Sequence, residues 1–156
     1  MENKQGEKGT LEIINPKCER TDHFQNLRVL AVDDEEIMGY LIQRVVKSWG
    51  FKVDWVTNCE TALKKIDEVQ YDVILSDFKM PRMSGEKFYY EIAKKKQTLI
   101  NRLVFITGDT INIKTLKFFK SINVPYLTKP FEIQKLKEII SEIVFKEQTN
   151  PYSISN

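Results

Sequence analysis

The chain has 156 residues, 42% of them hydrophobic and 29% charged, the size and balance of one globular domain with tails. Its 24 Lys and Arg against 22 Asp and Glu leave a net charge of +2, which argues against direct nucleic-acid binding and against a membrane-surface partner. No apolar run approaches the ~20 residues that cross a bilayer, and His23 is the single histidine, so His-metal clusters, Ser-His-Asp triads and a phospho-histidine donor in the folded body are disfavoured.

Residues 1–26 are polar and mixed in charge, with Gly6, Gly9 and Pro16 and no sustained periodicity, and read as a flexible extension or linker. No secretory leader is expected in them. Cys18 and Cys59 lack metal-ligand spacing and read as free thiols of a reducing cytoplasm, the expected location. From residue 27, short apolar runs alternate with amphipathic ones. The runs are 27–32 (LRVLAV), 52–56 (KVDWV), 72–76 (DVILS), 102–106 (RLVFI) and 125–127 (PYL). Three are near-continuous and β-branched, as strands buried on both faces of a parallel sheet are. Between them, Ile37, Leu41 and Val45 recur every four residues, predicting a first helix that buries this stripe and stops at Gly50. Asn58 is placed to cap a second helix with Ala62, Leu63 and Ile66 inward, and Phe88 and Ile92 mark a third. Phe118 and Phe119 are adjacent, hence about 100° apart on a helix, which predicts that one of them joins a partner surface. Ile133, Leu136, Ile140 and Val144 mark the last helix. The sum is an α/β domain over 27–145, with five parallel strands and five helices, followed by a flexible polar tail, 146–156.

In an open α/β sheet, ligands bind beyond the carboxyl ends of the strands. The first run is followed by Asp33-Asp34-Glu35-Glu36, the third by Asp77, the fourth by Thr107, and the fifth by Lys129 ahead of Pro130. The second ends without a polar group of obvious interest. Each residue alone is an ordinary turn or cap residue; the ordered set is the signal. Gathered carboxylates repel unless some protonate or a cation sits among them. Oxygen donors without His or Cys favour a hard ion, Mg²⁺ first. Such an ion, Lys129 and the Thr107 hydroxyl could hold a phosphoryl group. With no Ser-His pair and no phosphate-binding glycine loop, the nucleophile would be a carboxylate, with central Asp77 the natural candidate.

The segments VLAVDDEE (29–36), DVILSDFKMPRMSG (72–85), VFITGD (104–109) and YLTKPF (126–131) resemble the receiver domain of two-component response regulators, over Leu27–Phe145. The resemblance implies a flavodoxin-like (βα)5 fold, a doubly wound open parallel sheet of strand order 2-1-3-4-5. It implies Asp77 as phosphoacceptor, served by a sensor histidine kinase, a histidine phosphotransfer protein or a small phosphodonor. Carried over by position, Asp34, Asp77 and the backbone carbonyl of Lys79 would coordinate Mg²⁺ (or Mn²⁺), and Asp33 would act through a coordinated water. Thr107 and Lys129 would bind phosphoryl oxygens, and the Lys129–Pro130 bond would be cis. Phosphorylation would draw Thr107 inward with Tyr126 behind it. That would switch the face of the fourth helix, fifth strand and fifth helix for an output partner, a phosphorylation-dependent homodimer being left open. Lys79 and Asp109 are expected to approach across the site mouth and tune hydrolysis, against the alternative of a solvated pair worth little.

The 11 residues after the fifth helix are too few for a DNA-binding helix-turn-helix, so output through a protein partner is expected. A close alternative is a receiver module from a hybrid sensor histidine kinase, with residues 1–26 as its linker. An aspartyl-phosphate hydrolase of the haloacid-dehalogenase type fits poorly, because Lys79 stands where such enzymes usually carry a second acid. A flavin-binding domain fits poorly too, since acids follow the first strand where a flavin phosphate would bind. No catalysis is expected beyond the chain's own phosphorylation and dephosphorylation.

Overall fold

The structure is a computed structural model and describes residues 24–108 and 112–148. Five parallel strands, β1 (Arg28–Val32), β2 (Lys52–Val56), β3 (Val73–Asp77), β4 (Leu103–Thr107) and β5 (Tyr126–Thr128), form one sheet in the order β2-β1-β3-β4-β5. The helices are α1 (Glu36–Ser48), α2 (Cys59–Glu68), α3 (Gly85–Lys95), α4 (Ile113–Ser121) and α5 (Ile133–Gln148), and a 3₁₀ turn, Gln97–Arg102, leads into β4. This is the flavodoxin-like (βα)5 architecture that the resemblance implied. Among the described residues, no helix is long and apolar enough to cross a membrane. Cys18, His23 and most of the expected extension and tail lie outside the described residues.

Alternate side chains of each strand serve two cores. Leu30, Val32, Ile74, Leu103 and Phe105 pack with residues of α2, α3 and α4. Val29, Ala31, Leu75, Val104 and Ile106 pack with residues of α1 and α5. Every residue of β3 and β4 is buried, which is why those runs show no polar alternation. As the sequence predicts, Asn58 caps α2, its side chain accepting from the Thr61 N–H. The structure adds a cap on α3 that was not predicted, Ser84 accepting from the Lys87 N–H.

The burial of α1 differs from the expected stripe. Ile37 and Leu41 are 87% and 43% exposed, while Gly39, Ile42 and Val46 face the sheet. The cause is Trp55 on β2: its indole lies against Gly39, where any Cβ would overlap the ring. Placing the one residue without a side chain against the indole turns Ile37 and Leu41 outward. The prediction for Phe118 and Phe119 is also corrected, because both are buried, at 7% and 5% exposure. The end of α4 is flanked on two sides, so divergent directions both meet protein. Phe118 packs against Phe78 and Tyr89, and Phe119 against Phe78, Phe105 and Tyr126. Phe24, read from sequence as part of the extension, is buried and stacks on Phe51, with ring centroids 4.8 Å apart.

Candidate functional site

Parallel register brings the carboxyl ends of four strands level: Val32 pairs with Ser76, Asp77 with Ile106 and Thr107 with Thr128. The ladders run slightly past the strands. Asp33 N–H donates to the Val56 carbonyl (3.1 Å), Phe78 N–H to that of Ile106 (3.0 Å) and Lys129 N–H to that of Thr107 (2.7 Å). The backbone then turns. Asp33 Oδ1 accepts from the Glu35 N–H at 2.8 Å, Asp77 Oδ1 accepts from the Lys79 N–H at 3.0 Å, and the Lys129–Pro130 peptide is cis.

With one oxygen of each aspartate held by backbone, the other meets Lys129. Its Nζ lies 3.0 Å from Asp77 Oδ2, 3.5 Å from Asp33 Oδ2 and 3.6 Å from Glu35 Oε1. Asp33, Asp77 and Thr107 are buried. Burial holds the Asp33 carboxyl above its ordinary value; the Glu35 N–H and Lys129 oppose this, and the neighbouring Asp77 charge adds to it. For Lys129, burial works against the charge, but the hydrogen bond to Asp77 and the charges of Asp33, Asp77 and Glu35 outweigh it. Its ammonium therefore titrates above its ordinary value. Three carboxylates thus share one ammonium. Their oxygens lie within 4.8 Å of one another, an oxygen-only and net-negative donor set that suits a hard divalent cation.

Of the residues named from sequence, the structure brings together Asp33, Asp77 and Lys129, with Thr107 at the adjoining strand end. Asp34 is exposed and stands outside the carboxylate group. Glu35 takes a place there that sequence reasoning did not assign: the Glu35 N–H bond to Asp33 folds the loop back, so that alternate residues converge. The signal available in the sequence was the i, i+2 spacing of two acids after a strand. Lys79 has an exposed side chain above the Asp77 turn. Asp109, and with it the expected approach to Lys79, lies outside the described residues. Tyr126 is 41% exposed and stacks on Phe119 with centroids 4.4 Å apart and planes at 10°. The end of β2 is not inert either, since Trp55 Nε1–H donates to the Asp33 carbonyl at 3.0 Å.

The profile of the response regulator receiver domain matches residues 29–141, and the chain belongs to that family. Over 139 residues it is 25% identical to the transcriptional regulatory protein RprY of Bacteroides fragilis, covering 85% of this chain and 58% of RprY. Over 121 residues it is 30% identical to the hybrid signal transduction histidine kinase L of Dictyostelium discoideum, covering 74% of this chain and 7% of the kinase. The response regulator TrrA of Thermotoga maritima, solved in complex with Mg²⁺-BeF, matches with a TM-score of 0.65 and 30% identity over 75% of this chain and 98% of that one. The chain thus spans little more than half of RprY and a small part of the kinase. As a response regulator receiver domain, it is a signalling module.

Proposed function

We propose that the chain is a phosphorylation-controlled switch with Asp77 as its phosphoacceptor. The observation that carries this reading is the placement of Asp77, a buried carboxylate ending the central strand, 3.0 Å from Lys129 and grouped with Asp33 and Glu35. Asp33, Asp77 and the backbone carbonyl of Lys79 would hold Mg²⁺ or Mn²⁺, with Glu35 as a further oxygen donor and Asp34 turning in from its exposed position in the same loop when the ion binds. When bound, such an ion supplies the positive charge that lets an anionic phosphoryl group approach an anionic site. An Asp77 oxygen attacks the phosphorus of a phospho-histidine, or of a small phosphodonor. The new P–O bond forms as the bond to the donor nitrogen or oxygen breaks. Lys129 and the Thr107 hydroxyl bind the phosphoryl oxygens, and water later returns the carboxylate and inorganic phosphate.

The donor on this reading is a sensor histidine kinase or a histidine phosphotransfer protein, in the cytoplasm. Movement of Thr107 toward the phosphoryl group vacates space for Tyr126, and the α4–β5–α5 face then presents a new surface to a downstream protein partner or a second copy of the chain. Residues 27–145 form the receiver unit, flanked by an extension and a tail. The similarity to kinase L favours a second reading, a receiver module of a hybrid sensor histidine kinase, with the same chemistry at Asp77.

Intact mass after incubation with Mg²⁺ and acetyl phosphate tests the switch. A gain of one phosphoryl group, absent with EDTA and in Asp77→Asn, is expected. Phosphorylation that persists in Asp77→Asn would overturn the assignment.

A further inference from the structure

We propose that Trp55 is a positioning residue for the cation site, holding Asp33 in the geometry that receives the ion, with Gly39 providing the space that this requires. The inference rests on the reading of the acidic cluster as a divalent-cation site. Asp33 is gripped from β2 at both ends of its backbone. Its N–H donates to the Val56 carbonyl at 3.1 Å, and its carbonyl accepts the Trp55 Nε1–H at 3.0 Å. Its side chain is then oriented by the Glu35 N–H on Oδ1, which leaves Oδ2 facing Lys129. Of these three hydrogen bonds, the indole supplies the one that comes from a side chain, and it closes on the first residue of the β1–α1 loop. The loop carries two of the three clustered carboxylates, so a small rotation at Asp33 moves both Asp33 and Glu35 relative to Asp77.

The indole reaches the loop because it lies across α1 at Gly39, where a Cβ would overlap Nε1 and Cε2 of the ring. Packing and polar contact are therefore one device: a side chain at position 39 would displace the ring and break its bond to Asp33. A carboxylate site needs its donors held to within a fraction of an ångström, and supporting hydrogen bonds supply that constraint. Loss of one such bond lowers affinity by roughly three- to tenfold.

The test compares wild type, Trp55→Phe, Gly39→Ala and Trp49→Phe in the full chain. Mg²⁺ affinity is measured by calorimetry, and amide hydrogen exchange at residues 34 and 35 is followed in EDTA. Trp55→Phe keeps an aromatic ring and loses the donor. It is expected to weaken Mg²⁺ binding by roughly three- to tenfold and to speed exchange of both amides in the metal-free protein, with Gly39→Ala doing the same. Trp49→Phe should bind as wild type does, and its remaining tryptophan emission should change with Mg²⁺. If Trp55→Phe lowers the melting temperature but leaves both affinity and exchange at wild-type values, the role is packing alone and the inference fails. If the wild-type chain shows no Mg²⁺ binding that Asp77→Asn diminishes, the cation reading itself falls and takes the inference with it.

Discussion

Burying a carboxylate beside two others is unfavourable unless partners offset it. At Asp33 the offset is incomplete, because burial holds its carboxyl above the ordinary value despite the Glu35 N–H and the shared Lys129. Asp33→Asn removes the charge and keeps the shape. In EDTA at pH 7 its unfolding free energy by urea titration should exceed that of wild type; an equal or lower value would show that the charge is already compensated. Cys59 is a different case, a thiol buried at the start of α2 that donates weakly to the Met83 carbonyl (3.7 Å). Burial, helped by the Glu60 charge, pushes it up to about 12. In a Cys18→Ser background, alkylation by iodoacetamide at pH 8 should be slow in the folded chain and fast in denaturing urea, followed by mass. The sign for stability follows from linkage. Above the ordinary thiol value the unfolded chain releases a proton that the folded chain keeps until about 12, so stability falls as pH rises through that window.

Helix α1 shows how one element can carry two apolar stripes. Ile37, Leu41 and Val45 form one, and Gly39, Ile42 and Val46 the other; periodicity alone does not choose between them. The indole of Trp55 chooses the second. Ile37→Ala should therefore change stability by less than about 0.5 kcal/mol, and Ile42→Ala should lower it by about 2–5 kcal/mol. In α4 the same method separates surface from core. Phe118→Ala and Phe119→Ala are each expected to destabilise by about 3–5 kcal/mol in urea unfolding, as buried aromatics do. A near-neutral result for either would restore that ring to the surface.

Across the whole molecule, the site joins loops that follow β1, β3, β4 and β5, while the cores on both sides of the sheet hold those strands at fixed spacing. An ion bound among Asp33, Glu35 and Asp77 would tie the β1 and β3 ends together in the folded chain only. By mass action, Mg²⁺ at 100 times its Kd should add about 2.7 kcal/mol to the unfolding free energy. Thermal melts over a Mg²⁺ series should show this as a rising midpoint, reduced in Asp77→Asn. A midpoint independent of Mg²⁺ would count against the cluster as a cation site.

The order of strands and helices and the level of Asp33, Asp77, Thr107 and Lys129 were legible from the sequence. Apolar runs mark parallel strands, and parallel strands place the residues that follow them at one edge of the sheet. The Asn58 cap was legible for a similar reason, since a side chain acting three residues away is a local event. What only the tertiary structure decided depends on contacts between distant segments. Glu35 joins the carboxylates through the turn of its own loop toward Lys129, 94 positions on in the chain. Phe118 and Phe119 are both buried because α4 ends against Phe78 and Tyr126, and the inward face of α1 is set by an indole on β2. Composition and periodicity describe how one segment can fold; which face it turns, and which acid completes a site, is settled by the shape and charge of the neighbours it meets.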